Sequence, residues 1–162
     1  MRRRDLIAAL AAAAALVACA SQPKVTSDVT PGANLAAYKT FALVEQRPPG
    51  GMDPVAFERI RQGVADALST KGYTRAEPGD LSVIVTLGAR DKTDINTWGR
   101  FGRQVDVYQY TEGKMAVDVF DTKTRQPLWH GQATETIHPE HPDPAAIAAA
   151  VTSVMASFPP RA

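Results

Sequence analysis

A single cysteine, Cys19, stands in 162 residues. No intramolecular disulfide can staple the chain, and no pair of thiolates can hold a metal. Neither sign of charge is in surplus: 18 basic residues meet 17 acidic ones, a formal net charge of +1. That balance offers no electrostatic footprint for nucleic acid. Long apolar runs are missing too. The run from Leu6 to Ala18 has 13 residues, whereas a helix needs about 20 to span a bilayer core. The motifs of common enzyme chemistry are equally scarce. There is no G-x-S-x-G elbow, no HExxH pair, no phosphate loop and no dinucleotide fingerprint. No catalytic residue, metal ligand or cofactor is therefore expected.

What is present begins at the amino terminus. Arg2-Arg3-Arg4 precedes the short apolar run, and small residues close it, the arrangement of a secretory signal. Leu16-Val17-Ala18-Cys19 resembles the lipobox cut by the lipoprotein signal peptidase. The resemblance implies acyl chains on Cys19 and attachment to a membrane through them; cleavage after Ala20 is the plain alternative. Two or three chains on one residue make attachment stable where one gives only reversible binding. Ala20 follows the cysteine in place of the aspartate common in inner-membrane lipoproteins. The outer membrane of a Gram-negative cell, on its periplasmic side, is the expected location. Arg3-Arg4-Asp5-Leu6-Ile7 also resembles a twin-arginine signal, so the export route stays open. Removing residues 1–18 leaves 144 residues and turns the net charge to −1. That length suits one domain, held by packing alone. The expected organisation is a signal peptide over 1–18, an acylated cysteine with a short tether over 19–24, and a single α+β domain over 25–160.

Periodicity supplies the elements. Val25, Ser27 and Val29 alternate with polar residues, as in an edge strand, before Pro31-Gly32 turns the chain. Lys39 to Val44 is a second strand candidate, and the Pro- and Gly-rich stretch from Gln46 to Met52 is a loop. Asp53-Pro54 has the form of a helix start, a capping carboxylate followed by proline in the first turn. Phe57, Ile60, Val64 and Leu68 then share one helical face, and Lys71-Gly72 stops it. Asp143-Pro144 repeats the device, with Ile147, Val151, Val154 and Phe158 on one face and Pro159-Pro160 after it.

Between the helices, Leu81, Val83, Val85 and Leu87 alternate with Ser82, Ile84 and Thr86. Val105 to Tyr110 and Lys114 to Phe120 flank Thr111-Glu112-Gly113, read as a short hairpin turn. A polar turn over 121–126 leads to a last strand ending near Ile137. One register sets Val119 opposite Trp129, Val117 opposite Gly131 and Met115 opposite Ala133, with Asp118 beside His130 on the other face. A slip of one residue reverses that assignment. The expected fold is a two-layer α+β domain: a mostly antiparallel sheet of five or six strands with two helices packed on one face. The strand–helix–strand passage from Lys39 to Leu87 places its two strands parallel.

Several short stretches carry a family likeness. They include Tyr38-Lys39-Thr40-Phe41, Lys71-Gly72-Tyr73, Gly79-Asp80-Leu81-Ser82-Val83, Tyr108-Gln109-Tyr110-Thr111-Glu112-Gly113, Val117-Asp118-Val119-Phe120-Asp121 and Leu128-Trp129-His130-Gly131. In order and spacing, over about residues 24–158, they resemble a family of bacterial lipoproteins known as domain of unknown function 4136. The resemblance implies an exported, usually lipid-anchored α+β domain; it carries no established activity and no catalytic residues to transfer.

Candidate functional residues are few. His130, His138 and His141 fall within twelve positions, but Pro139 and Pro142 favour an extended path and a surface loop rather than a metal site. His130 beside Asp118 fits a solvated cross-strand pair better than an acid–base dyad. Thr97 to Arg103 holds Trp98, Arg100, Phe101 and Arg103 among glycines. Such residues either contact a sugar, a headgroup or a protein, or fold back over a sheet edge. Phe120 and Leu128 form a possible apolar patch on the helix-free face. The expected function is non-enzymatic: binding of an envelope protein or glycan through that face or the 91–103 loop. The alternatives are a small-ligand pocket between sheet and helices and, third, an envelope hydrolase.

Overall fold

Residues 23–98, 104–137 and 143–161 are described by a computed structural model of the chain. In chain order the elements are strand β1 (Lys24–Val29), a 3-10 turn (Leu35–Ala37) and strand β2 (Thr40–Leu43). Helix α1 (Pro54–Thr70), the two-residue strand β3 (Thr74–Arg75) and strands β4 (Leu81–Trp98), β5 (Gln104–Asp121) and β6 (Pro127–Ile137) follow. Helix α2 (Pro144–Ala156) comes last. Six strands form one sheet in the order β1-β6-β5-β4-β2-β3. β1, β6, β5 and β4 are antiparallel neighbours, while β2 runs parallel to both β4 and β3. The sheet is thus mixed, antiparallel over its long strands and parallel at the edge reached through α1. No described helix is long and apolar enough to cross a membrane.

The helix ends form as their sequence dictates. Asp53 accepts a hydrogen bond from the Val55 amide at 3.0 Å, and Asp143 accepts one from Ala145 at 2.8 Å. Each satisfies an amide that the first turn leaves unpaired. Gly72 takes φ +92° just past α1, where a side chain would be strained. The α1 face also buries Arg61, whose Nη1 donates to the Val44 carbonyl at 2.8 Å and whose Nε lies 3.3 Å from Glu58. A charged residue on the buried face thereby fastens the helix to the end of β2.

The register of β5 and β6 is the first of the two alternatives: Val119 faces Trp129, Val117 faces Gly131 and Met115 faces Ala133. These residues, with Leu81, Val83 and Val85, point toward the helices and are buried. Alternation makes this inevitable, because in a strand every second side chain shares a face. Gly131 is empty space that Trp129 uses. A Cβ placed there would lie 2.1 Å from the indole ring, so the ring lies across the strand over the glycine. Phe158, just beyond α2, meets that ring edge-on at 5.0 Å and Tyr73 at 5.5 Å.

The segment from Thr30 to Lys39 crosses the end of the sheet from β1 to β2. It is fastened at both sides. The Thr30 amide donates to the Leu128 carbonyl, and the Tyr38 hydroxyl donates to Asp121 at 2.8 Å. Asp121 also accepts from the amides of Lys123 and Thr124, closing the turn before β6. Asp80 accepts from the Lys39 and Thr40 amides, while its own amide donates to the Thr40 hydroxyl. Leu35 and Leu128 are buried in the core beneath this crossing.

One expectation is overturned here. Thr111-Glu112-Gly113 is no turn; β5 runs straight through it, with Gly113 paired to Ala89 on one side and Glu135 on the other. Positive φ is confined among the described glycines to Gly32, Gly51 and Gly72. Gly113 serves a packing purpose instead, since a Cβ there would lie 2.7 Å from the Ile137 side chain. The stretch Arg90 to Asn96 hid the partner strand, because a run of charged and polar residues with a single apolar one, Ile95, does not read as a strand with a buried face.

Two outcomes follow. Gly131→Val should lower stability by about 1–3 kcal/mol through overpacking against Trp129, read as a lower urea midpoint with unchanged slope. Asp121 and Asp80 titrate below the ordinary carboxylate range: Asp121 through the Thr124 amide and then Tyr38, Asp80 through Thr40 and then the Lys39 amide. Their contribution is present above their unfolded pKa, roughly 4, and is lost as pH falls through the lower folded value. Stability should thus decline in acid, and Asp121→Asn, which is less stable at pH 7, should converge on the parent below about pH 4.

Candidate functional site

The helix-free face is mostly polar, with apolar residues toward its β4 side. One row across it runs Asp28, His130, Asp118 and Ile84; the next runs Thr26, Gln132, Ala116 and Thr86; a third runs Lys24, Thr134, Lys114 and Gly88. His130 Nδ1 lies 2.6 Å from Asp118 Oδ1, with both side chains substantially solvated. Asp118 is the one hydrogen-bond partner of that ring among the described residues. The pair is cross-strand and solvated, as the register required.

Farther along the same face, cations gather. Glu112 accepts from Arg90 Nε and Nη2 at 2.9 and 2.7 Å and lies 2.7 Å from Lys92 Nζ. Lys92 first, then Arg90, holds its carboxyl below the usual range. With Lys24, Thr26, Gln132 and Thr134 these residues line a shallow depression of about 250 Å³. Sequence reasoning missed this cluster. Its signal was the Arg90-x-Lys92 spacing, which puts both cations on one face once the stretch is known to be a strand.

Beyond Ile137, β6 stops, and β4 and β5 continue as a two-stranded ribbon to Trp98 and Gln104. On it Val107 and Tyr108 are 57% and 56% exposed, one on each face. Neither strand of the ribbon has a second neighbour among the described residues, so both edges present unpaired backbone groups. A groove of about 620 Å³ lies on the outside between α1 and α2, lined by Ile60, Gly63, Ala67, Ile147 and Val151 among others.

The predicted residues fare unevenly. Trp98 closes the described part of β4, opposite Gln104; Arg100, Phe101, Arg103, His138, His141 and Cys19 lie outside the described residues. Phe120 is half-buried on the helix-free face opposite Ser82, but Leu128 is 6% exposed and belongs to the core. The apolar patch expected from those two is therefore absent. A register shift between Val119 and Phe120 sets Phe120 against Pro127, turning Leu128 inward under the 30–39 crossing. The expected ligand pocket is also misplaced: core side chains fill the space between sheet and helices, and the concavity lies between the helices.

An open mixed sheet with two helices over one face defines an α+β domain of a kind found among known proteins. The family described as "domain of unknown function (DUF4136)" matches residues 25–160, and the chain belongs to it. A crystal structure of a DUF4136 family protein from Bacteroides thetaiotaomicron is similar at 16% identity and TM-score 0.55, covering 86% of this chain and 95% of that one. The PelC dodecamer of Paraburkholderia phytofirmans is similar at 14% identity and TM-score 0.56, covering 87% of this chain and all of that one. A PDZ domain protein from Parabacteroides distasonis gives TM-score 0.62 at 16% identity; 96% of this chain matches 40% of that longer one. No match is found among curated proteins.

Exposed ion pairs contribute about 0–1 kcal/mol, so Asp118→Asn and His130→Gln should each shift stability by no more than about 0.5 kcal/mol. Urea denaturation of both variants at pH 7 checks this.

Proposed function

We propose that the chain is a non-enzymatic lipoprotein of the cell envelope, attached to the outer membrane through acyl chains on Cys19. It binds a partner protein there through the β4–β5 ribbon. The observation that carries this reading is the ribbon itself. A strand pair left without a sheet neighbour, bearing an exposed aromatic on one face and an exposed valine on the other, costs ordering entropy and contributes nothing to the core. Open strand edges and amphipathic aromatics are what a protein partner recognises by strand addition and by packing.

The polar helix-free face supports the ribbon over the sheet as the protein-binding element. The groove between the helices is the place for the alternative, a small apolar ligand, since its lining is mostly aliphatic. Among the described residues a hydrolase reading finds only His130 and Asp118, with Asp28 and Ile84 as their flanking neighbours in the row.

A photoreactive aromatic residue placed at position 108 of the full-length chain in cells should crosslink to one envelope protein. The same residue at Gln62, on the outside of α1, should not. Equal labelling at both positions, or none at 108, overturns the ribbon reading. An adduct of two copies of this chain would make the partner a second copy, the kind of assembly that the PelC dodecamer exemplifies.

A further inference from the structure

The helix-free face is electrically divided along its strands. At the end where β6 begins it carries Asp28, Asp118 and His130. At the opposite end it carries Lys24, Lys114, Arg90 and Lys92, with Glu112 the one acid among them and Asp94 the next along β4. Arg90 and Lys92 both engage Glu112, whereas Lys24 and Lys114 stand exposed, with no carboxylate partner among the described residues. The cluster keeps a surplus of three positive charges.

We infer that this cationic end of the sheet docks on the anionic phosphate headgroups of the membrane that holds the chain. The inference rests on the proposed acylation of Cys19 and adds an orientation to it. Lys24 opens β1 and stands five residues after Cys19, so the tether spans at most about 18 Å. The cations nearest the tether therefore stay within about 18 Å of the headgroups and can enter the layer, roughly one Debye length or 8 Å deep, where the surface potential acts. Anionic leaflets attract basic residues placed so close to them, and a tether removes the entropic penalty of finding the surface. The divided face makes the attraction directional. With Lys24 and Lys114 toward the lipid, Asp28 and Asp118 lie at the far end of the strands.

The test uses the full-length chain purified from membranes, with Gln132→Cys as a labelling site beside the cluster and Gln62→Cys on α1 as the control. The protein is reconstituted into vesicles of phosphatidylcholine alone or with phosphatidylglycerol. A fluorophore on the new thiol is quenched by headgroup nitroxides when it lies near the lipid. Strong quenching at 132 in anionic vesicles only, absent at 62 and abolished by high salt, is the expected result. Lys24→Gln with Lys114→Gln should lower the docked-to-undocked ratio roughly 30-fold, two cations at the usual strength near a charged surface. Mass spectrometry of the same sample reports Cys19. An unmodified cysteine overturns the anchor and the docking together. An acylated chain whose label is equally remote in both vesicle types overturns the docking alone. Release of the label from anionic vesicles by a soluble anionic polysaccharide at constant ionic strength assigns the cluster to a glycan and overturns the lipid assignment.

Discussion

Phe158 holds the two layers together. It lies two residues past the last helix, yet its ring is wedged between the indole of Trp129 on β6 and the ring of Tyr73 after α1. Tyr73 in turn reaches the Leu35 carbonyl at 3.3 Å. One aromatic thus joins the middle of the sheet, both helix ends and the segment that crosses beneath them. Each edge-on pair contributes about 0.5–1.5 kcal/mol beyond its buried area. The larger effect is geometric, since Phe158 extends to the chain's last residues the packing that Val151, Val154 and Met155 of α2 make with the sheet. The Trp129 ring can lie flat enough to receive Phe158 only because Gly131 has no side chain. The smallest residue in β6 is therefore what admits the largest.

That packing commits one face entirely, and alternation then decides the other. Once Val83, Val117, Val119 and Trp129 point inward, Ser82, Asp118 and His130 must point outward. The outward face is mostly hydrophilic, with Ile84, Ala116 and Phe120 its apolar exceptions, and binding there proceeds chiefly through charge and hydrogen bonding. On the strands, exposed apolar contact is offered by the ribbon, where Val107 and Tyr108 stand clear of the core. The molecule separates these two kinds of surface by position along the same strands.

The residues differ in how much of this they revealed. Both helices were legible because their caps, Asp53-Pro54 and Asp143-Pro144, coincide with clean periodic faces, and local chemistry alone sets them. The register of β5 against β6 was half legible. The sequence offered an alignment of Trp129 and Gly131 with valines, and the structure adopts it, but a one-residue slip is excluded only by the observed pairing. The parallel pairing of Phe41 with Leu81 followed from the crossover helix. The two-residue β3 left no signal, since Thr74-Arg75 owes its pairing to β2 alone. The inward turn of Leu128 was illegible for a related reason. A one-residue shift in register depends on how two strands meet, and no single strand encodes it. The long ribbon was missed because its buried-face periodicity ends at Leu87 while its hydrogen bonding continues. Backbone pairing needs no apolar residue, so hydropathy cannot see where it stops.

The ribbon and the tether leave the sheet by the same end. Lys24, the first residue of β1, sits level with Lys114 across β6, and β5 extends ten residues farther in that direction, to Gln104. Strands rise about 3.3 Å per residue, so the ribbon outreaches the Lys24 level by roughly 33 Å. A five-residue tether cannot match that length. If Cys19 is acylated and the cationic end lies against headgroups, the ribbon must lean along the membrane plane, because a perpendicular ribbon would drive Asp94 and Lys92 into hydrocarbon at several kcal/mol each. Leaning places Tyr108 at the interfacial level, where amphipathic rings are favoured. A partner reached in that position is one that also resides at the membrane. The anchor, the cationic end and the exposed ribbon then answer to a single constraint, the short chain between Cys19 and Lys24.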